Sequence, residues 1–476
     1  MAFKILSATF LQDGKQSFTL DFTPPKDDSQ DSHFTLLIGK NGVGKSLILE
    51  AIIEFLFYAW KTNSSSIIIR RIKYIFCTAL EYTLDGTVCK LDSQKGNLSF
   101  YKDGVECQLT NEWLPRIVAT SFSICDKFRV LRSNERDLNY FYKYNGAKVN
   151  GNMISPTSIL FTLLSNIASA SEEQLYRINK AITTIGYELC ISFRFKLQAV
   201  ENKIMFDRVL NNFEIKAKDT TYAGKKFRQL NFDEKQVLYD FYEKIKENKD
   251  TISMDVDFTE EFDLETKKHN VYALYKLRQM GIINLSQISF RRVSKDYVSC
   301  IDMSSGEFNM LATIISVASV AEQNVLVLMD EPEISQHPSW QMSIIDYLDK
   351  CLRGKSCHLL IATHSNFLVS DLPIRRSEVL HLYRDELNLI KAKRIKSNTY
   401  GWSVEEVLLK VFGLPTTRNR YLAGIVGELM EGISNDTMKI QEVQSKVCFL
   451  KEIVGNLNNL DPMKKIIETI VETFEE

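Results

Sequence analysis

Gly39-Lys40-Asn41-Gly42-Val43-Gly44-Lys45-Ser46 constrains this chain more than any other segment. The pattern G-x-x-x-x-G-K-[ST] needs a strand before it and a helix behind it. Its backbone N–H groups curl round an anion while the helix points its positive end at the same charge. Both flanks are legible. Phe34-Thr35-Leu36-Leu37-Ile38 is a compact apolar run, as in a buried strand of a mainly parallel sheet, and apolar residues follow at helical spacing from Ser46 to Trp60. Gly39, Gly42 and Gly44, with Asn41 between them, let the backbone close on phosphate oxygens without side-chain clashes. Lys45 suits the β- and γ-phosphates as a point charge, and the Ser46 hydroxyl suits Mg2+. The bland alternative, a Gly-rich turn with no ligand, does not account for both flanks.

Three further segments follow in order. Met303-Ser304-Ser305-Gly306-Glu307 opens a helix, with a hydroxyl and exposed N–H groups at its N-terminus. The bland reading is a Ser cap with Glu307 three residues on, and the two are compatible. Val325 to Met329 is an apolar strand ending in Asp330-Glu331, where Asp330 can hold Mg2+ through water and Glu331 can deprotonate an attacking water. His358 to Ala362 is the next strand, ending in Thr363-His364-Ser365. A lone histidine is usually structural, but His364 sits at a strand end, 34 residues past Asp330. His33, His269, His358 and His381 have no such setting.

The 476 residues suffice for two or three domains, and a 45% hydrophobic, 25% charged balance is that of a globular chain. A net charge of −1 advertises no global affinity for nucleic acid, although Arg70-Arg71-Lys73, Arg291-Arg292 and Lys391 to Lys396 are local basic groups. Nine scattered cysteines without a CxxC pair argue against a disulfide framework or a zinc knuckle. The N-terminus lacks a signal-peptide pattern and no apolar run approaches a membrane span, so the expected setting is cytoplasmic, with no membrane partner. Pattern shifts divide the chain into an N-terminal lobe at 1–149, an inserted mainly helical domain at 150–299, a C-terminal lobe at 300–398 and a helical region at 399–476. Within the insert, 158–170, 171–184 and 233–246 have helical spacing, 188–197 is strand-like, and Asp255-Val256-Asp257 is a solvated strand face.

Phosphate loop, helix-opening Ser-Ser-Gly-Glu, acidic pair and histidine together resemble an ABC-type ATPase head of the SMC- and OLD-related group. The resemblance covers roughly residues 1–125 and 300–395. It implies an α/β P-loop head with a mixed sheet, an inserted domain and a helical tail. It further implies ATP and Mg2+ as ligands. Gly39, Asn41, Gly42, Gly44, Lys45 and Ser46 would hold the nucleotide, and Ser46 and Asp330 the metal. Glu331 would be the base and His364 the γ-phosphate switch. Ser304 and Gly306 match the two signature positions that reach the nucleotide of a second protomer. Met303, Ser305 and Glu307 depart from the usual L-S-G-G-Q. The family's Mg2+-touching glutamine is also missing. The strand at 116–119 runs into Thr120-Ser121-Phe122-Ser123, where Ser121 or Ser123 is the replacement on offer.

The wording Asp330-Glu331-Pro332-Glu333, with His337-Pro338, is similar to that of stand-alone ATPases of bacterial anti-phage systems, the Septu ATPase subunit first and the PARIS subunit next. That implies a homo-oligomer, dimeric or of higher order, controlling a separate nuclease subunit of HNH type, or Toprim type in the alternative. No nuclease signature lies in this chain. Two other readings stay open: a DNA repair or recombination ATPase like SMC and RecF, with DNA as partner, and a nucleotide sensor of little turnover. The stretch from Trp402 to Leu409 and on through Thr416 to Arg420 reads first as packing against the head and second as a docking surface.

Overall fold

A computed structural model describes residues 3–14, 16–22, 31–62, 74–94, 97–123, 126–131, 140–146, 148–149, 153–154, 156–198, 226–248, 250–320, 322–395, 399–411, 420–434, 438, 440–455 and 462–475. Arg70, Arg71, Lys73, Lys396 and the Thr416–Asn419 stretch lie outside them. Contacts divide the chain into two units, Met1–Trp402 and Ser403–Glu476.

The first unit opens with strands β1 (Lys4–Gln12), β2 (Gln16–Asp21), β3 (His33–Gly39), β4 (Ile75–Leu84), β5 (Thr87–Gln94), β6 (Asn97–Lys102) and β7 (Val105–Cys107), with helix α1 (Lys45–Thr62) between β3 and β4. All but β3 form an antiparallel sheet in the order β2-β1-β4-β5-β6-β7. Asp85-Gly86 and Asp103-Gly104 close two of its hairpins with positive φ at both residues, the turn that the right-handed strand twist favours.

Strand β3 instead joins β8 (Arg116–Ser121), β9 (Tyr142–Gly146), β16 (Val325–Asp330), β17 (Cys357–Ala362), β18 (Ser377–Arg384) and β19 (Ile390–Arg394) in the order β19-β18-β3-β17-β16-β8-β9. Only β19 runs antiparallel to its neighbour. β3, β16 and β17 are buried at every position, which is why their sequences are mostly apolar. One apolar core joins the antiparallel sheet, α1 and the Leu326/Leu328/Leu360 face of the parallel sheet.

Between these lobes lie a short β10–β11 pairing (Lys148–Val149, Met153–Ile154), helices α2 (Pro156–Ser169), α3 (Glu172–Thr183), α4 (Phe232–Ile245) and α5 (Leu264–Gln279), and strands β12 (Tyr187–Leu197), β13 (Ile252–Asp257), β14 (Ile283–Arg292) and β15 (Tyr297–Ser299). Capping boxes Ser171/Gln174 and Asn231/Glu234 start α3 and α4. The helices expected here are present, together with an antiparallel sheet in the order β13-β12-β14-β15. On it Asp257 pairs with Arg291 at 2.8 Å, while Asp255 stays exposed and accepts from the Tyr297 hydroxyl.

The unit is completed by α6 (Ser305–Ala318), α7 (Pro338–Gln341), α8 (Ile344–Leu352) and α9 (Asn366–Ser370). The second unit contains α10 (Val404–Lys410), α11 (Arg420–Ser434), α12 (Ile440–Val454) and α13 (Pro462–Glu475), with a core of Leu429, Leu450 and Ile467. None of the described helices is long and apolar enough to cross a membrane.

Candidate functional site

The sheet order β3-β17-β16-β8 sets the ends of four parallel strands side by side. The phosphate loop, Thr363-His364, Asp330-Glu331 and Ser121 therefore meet at one edge, the carboxyl edge where open α/β sheets bind ligands.

The loop between β3 and α1 admits only glycine at two points. Gly39 has φ +151°, and a Cβ there would stand 2.4 Å from the Leu382 carbonyl oxygen. Gly44 has φ +116°, with the Ile390 side chain 2.8 Å from a Cβ. Asn41 and Gly42 form the exposed outer turn. Arg384 Nη2 donates to the Gly42 carbonyl at 3.2 Å and so ties the loop to the end of β18.

Lys45 is buried and donates to the Gly39 carbonyl at 3.1 Å and to His364 Nε2 at 2.5 Å. Burial lowers the Lys45 pKa, while Glu331, Asp330 and Glu333 oppose the shift. Burial and then the Lys45 charge lower that of His364. A lysine ammonium can only donate, so the imidazole accepts from it at Nε2, 3.8 Å from Glu331 Oε1. The Ser46 hydroxyl donates to Asp330 Oδ1 at 2.8 Å. Asp330 is only 4% exposed, and burial raises its carboxyl to about 6 against the Ser46 hydrogen bond. Glu331 leaves the strand at φ +50°, its amide held by the Ala362 carbonyl, and its side chain is about one-third exposed.

A hydroxyl and one carboxylate, both hard oxygen donors in contact, suit Mg2+, which takes few protein ligands and completes its shell with water and phosphate oxygens. Among the described residues no group of three or more His, Cys, Asp or Glu could hold a metal ion.

Ser304 and Gly306 are not brought to this loop. Ser304 caps α6 in a full capping box with Glu307. Gly306 packs so closely that a Cβ would meet the Ser335 carbonyl oxygen at 2.6 Å. Ser304, Ser305, Gly306 and Glu307 line an open cleft of about 650 Å3 together with Ser335 to His337, Ser339 and Trp340. Where the glutamine is missing, Ser121 is the register partner of Asp330 and is buried. Asp126, which sequence reasoning passed over, is also buried. It accepts from Phe128 N and the Tyr144 hydroxyl.

Two other residues have roles invisible in the linear pattern. Glu333 Oε1 accepts from the Thr363 hydroxyl at 2.7 Å and the His364 amide at 2.8 Å. Its place in the acidic motif was a signal of sorts. Arg384 had none, since it stands 342 residues from Gly42.

A strand–loop–helix phosphate cradle and a Ser–Asp oxygen pair, with a histidine and an acid at neighbouring strand ends, are the parts of a P-loop ATPase head. The family model described as an AAA ATPase domain matches residues 123–369, more than half of the chain, and the chain belongs to that family. The phosphate loop precedes the matched span. The chain is 27% identical over 195 residues to the Septu protein PtuA of Bacillus thuringiensis, covering 40% of this chain and 47% of that protein. It is 23% identical over 393 residues to the retron Ec83 probable ATPase of Escherichia coli, covering 74% and 66% respectively. It thus spans about half to two-thirds of the length of these curated relatives. Among solved structures, the SMC head domain from Thermotoga maritima matches with a TM-score of 0.38 at 10% identity, covering 83% of this chain and 100% of that one.

Proposed function

We propose that the chain binds and hydrolyses ATP with Mg2+ and serves as the ATPase subunit of an anti-phage defence complex, controlling a separate nuclease through nucleotide-dependent pairing of two heads. The observation that carries the ATPase reading is the contact of Ser46 with Asp330 and of Lys45 with His364, which joins three segments far apart in sequence. Gly39 to Ser46 cradle the triphosphate, and the Lys45 ammonium offsets charge on its β- and γ-phosphates. Ser46 and Asp330 hold Mg2+, which when bound withdraws charge from the phosphate oxygens. Glu331 orients the attacking water and takes its proton. It is free to do so because it lies off the strand and is partly exposed. His364, neutral at Nε2, marks the γ-phosphate end. Ser304 and Gly306 complete the site of a second copy, since their cleft lies apart from this chain's own loop.

The defence reading is supported by two relatives, a Septu protein and a retron ATPase. Its test is to purify the tagged protein from its native host with and without ATP and Mg2+, and to identify co-purifying chains by mass spectrometry. A stoichiometric HNH or Toprim nuclease supports it. Recovery of the chain alone with chromosomal DNA replaces it with the repair reading.

A further inference from the structure

We infer that Glu333 is a positioning residue for His364, and that it joins the histidine to the wall of the Ser304–Glu307 cleft. The inference rests on the ATP-hydrolysing reading of the site and goes beyond it. Glu333 Oε1 receives two hydrogen bonds from consecutive residues of the turn after β17: the Thr363 hydroxyl at 2.7 Å and the His364 amide at 2.8 Å. Thr363 Oγ1 in turn accepts from the Ser365 amide at 2.9 Å, and the Thr363 amide is held by the Leu37 carbonyl of β3. The backbone of His364 is thus held by Glu333, while its ring reaches Lys45. The other carboxylate oxygen is buried without a hydrogen-bond partner among the described residues, so the clamp is made through Oε1 alone.

Glu333 belongs to the short stretch whose later residues build the cleft. Ser335, Gln336 and His337 line the cleft, Ser335 has φ +63°, and its carbonyl oxygen presses on Gly306. Asn309 of α6 donates to the Ile334 carbonyl at 3.2 Å. A shift of α6 or of the cleft wall therefore pulls on a segment that also carries the acceptor for His364. That gives occupation of the cleft a direct mechanical route to the histidine.

The test uses the full chain and steady-state hydrolysis of Mg2+–ATP. Glu333→Ala should lower kcat roughly 10- to 100-fold with little change in KM, because loss of positioning leaves ground-state binding intact. Glu333→Gln retains the Oε1 acceptor and should restore most of that loss. In a His364→Ala background, Glu333→Ala should change turnover by less than about 2-fold, since a residue that acts only through His364 has nothing left to position. Multiplying losses in the double variant, or a Glu333→Gln as slow as Glu333→Ala, overturns the inference. If Glu333→Ala does not fold, Thr363→Val removes one of the two donors at nearly constant shape. It should show the same non-additivity with His364→Ala, and multiplying losses there overturn the inference too. Lys45→Ala run alongside separates the two levels: full turnover in that variant sinks the site reading itself, whatever Glu333 does.

Discussion

Ser46 lies in the first turn of the helix behind the phosphate loop, and its hydroxyl donates to Asp330 Oδ1 at 2.8 Å, although the two residues stand 284 positions apart. The bond exists because β16 and β3 are separated by a single strand, so the end of one and the helix after the other share an edge. It places the two proposed Mg2+ ligands in contact.

Lys45→Ala should weaken nucleotide binding about 100-fold, as expected when a buried phosphate partner is removed. Glu331→Gln should bind ATP normally and hydrolyse it about 100-fold or more slowly. A fluorescent-nucleotide titration read beside phosphate release separates the two. Equal hydrolysis by wild type and Glu331→Gln would remove Glu331 as the base. A wild type with no turnover at all would turn the reading toward a nucleotide sensor.

Arg384→Ala should raise the KM for ATP by about 10-fold, because its charge-assisted hydrogen bond to the Gly42 carbonyl holds the outer turn of the loop. Arg384→Lys should not rescue it. A single ammonium cannot serve Gly42 together with the Asn388 carbonyl and the Tyr74 hydroxyl, which the Arg384 guanidinium also reaches. An unchanged KM in both variants would show that the loop needs no such tether.

Gly306→Ala should destabilise the free protein by about 1–3 kcal/mol in denaturant unfolding, since the new Cβ meets backbone rather than a flexible side chain. Ser304→Ala should cost about 1 kcal/mol through loss of the cap. If Gly306→Ala is as stable as wild type and loses only turnover, the glycine is needed between protomers and not within one.

A buried polar chain under the sheet makes stability depend on pH. The Ile5 amide donates to His358 Nδ1, so the ring carries its proton on Nε2 and donates to Thr35, which donates in turn to Glu378. Burial raises Glu378 from its ordinary 4.5 to about 7 against the pull of Arg394, and pushes His358 down to about 3. A raised carboxyl means that the folded state holds the proton more tightly than the unfolded one. Its contribution is present below pH 4.5 and lost as pH rises to about 7. His358 acts in the opposite sense below pH 6.5, being destabilising when it must be charged. The clean measurement is therefore a difference. Glu378→Gln minus wild type should grow from near zero at low pH to as much as roughly 3 kcal/mol above pH 7. A flat difference would mean that Arg394 compensates the buried charge in full.

Much of the head was legible in the linear pattern because its elements carry their own signals. The phosphate loop is written in glycines at fixed offsets. β3, β16 and β17 are buried at every position and mostly apolar because both faces are covered. The capping box at Ser304 lies within four consecutive positions. The sheet of the insert was harder to see. β12 reads as a strand by itself, but β14 pairs with it through register shifts that break the period-two pattern. Arg384 escaped because its partner is reached through the fold and not through neighbours in the chain, and Asp126 because the Tyr144 hydroxyl that marks its site stands 18 positions away.

The sequence by itself determined the class of chemistry: an anion cradle, two acids at a strand end, a histidine at the next and a capped glycine-bearing helix, each dictated by local backbone needs. Only the tertiary structure decided which of these meet. Strand order brings Ser46 to Asp330 and Lys45 to His364, and turns Glu333 back onto the histidine's backbone. The same order leaves Ser304 and Gly306 facing a cleft of their own. Local propensity acts over a few residues, whereas the adjacency of strands hundreds of residues apart is set by burying both faces of one sheet, a condition that exists only once the chain has folded.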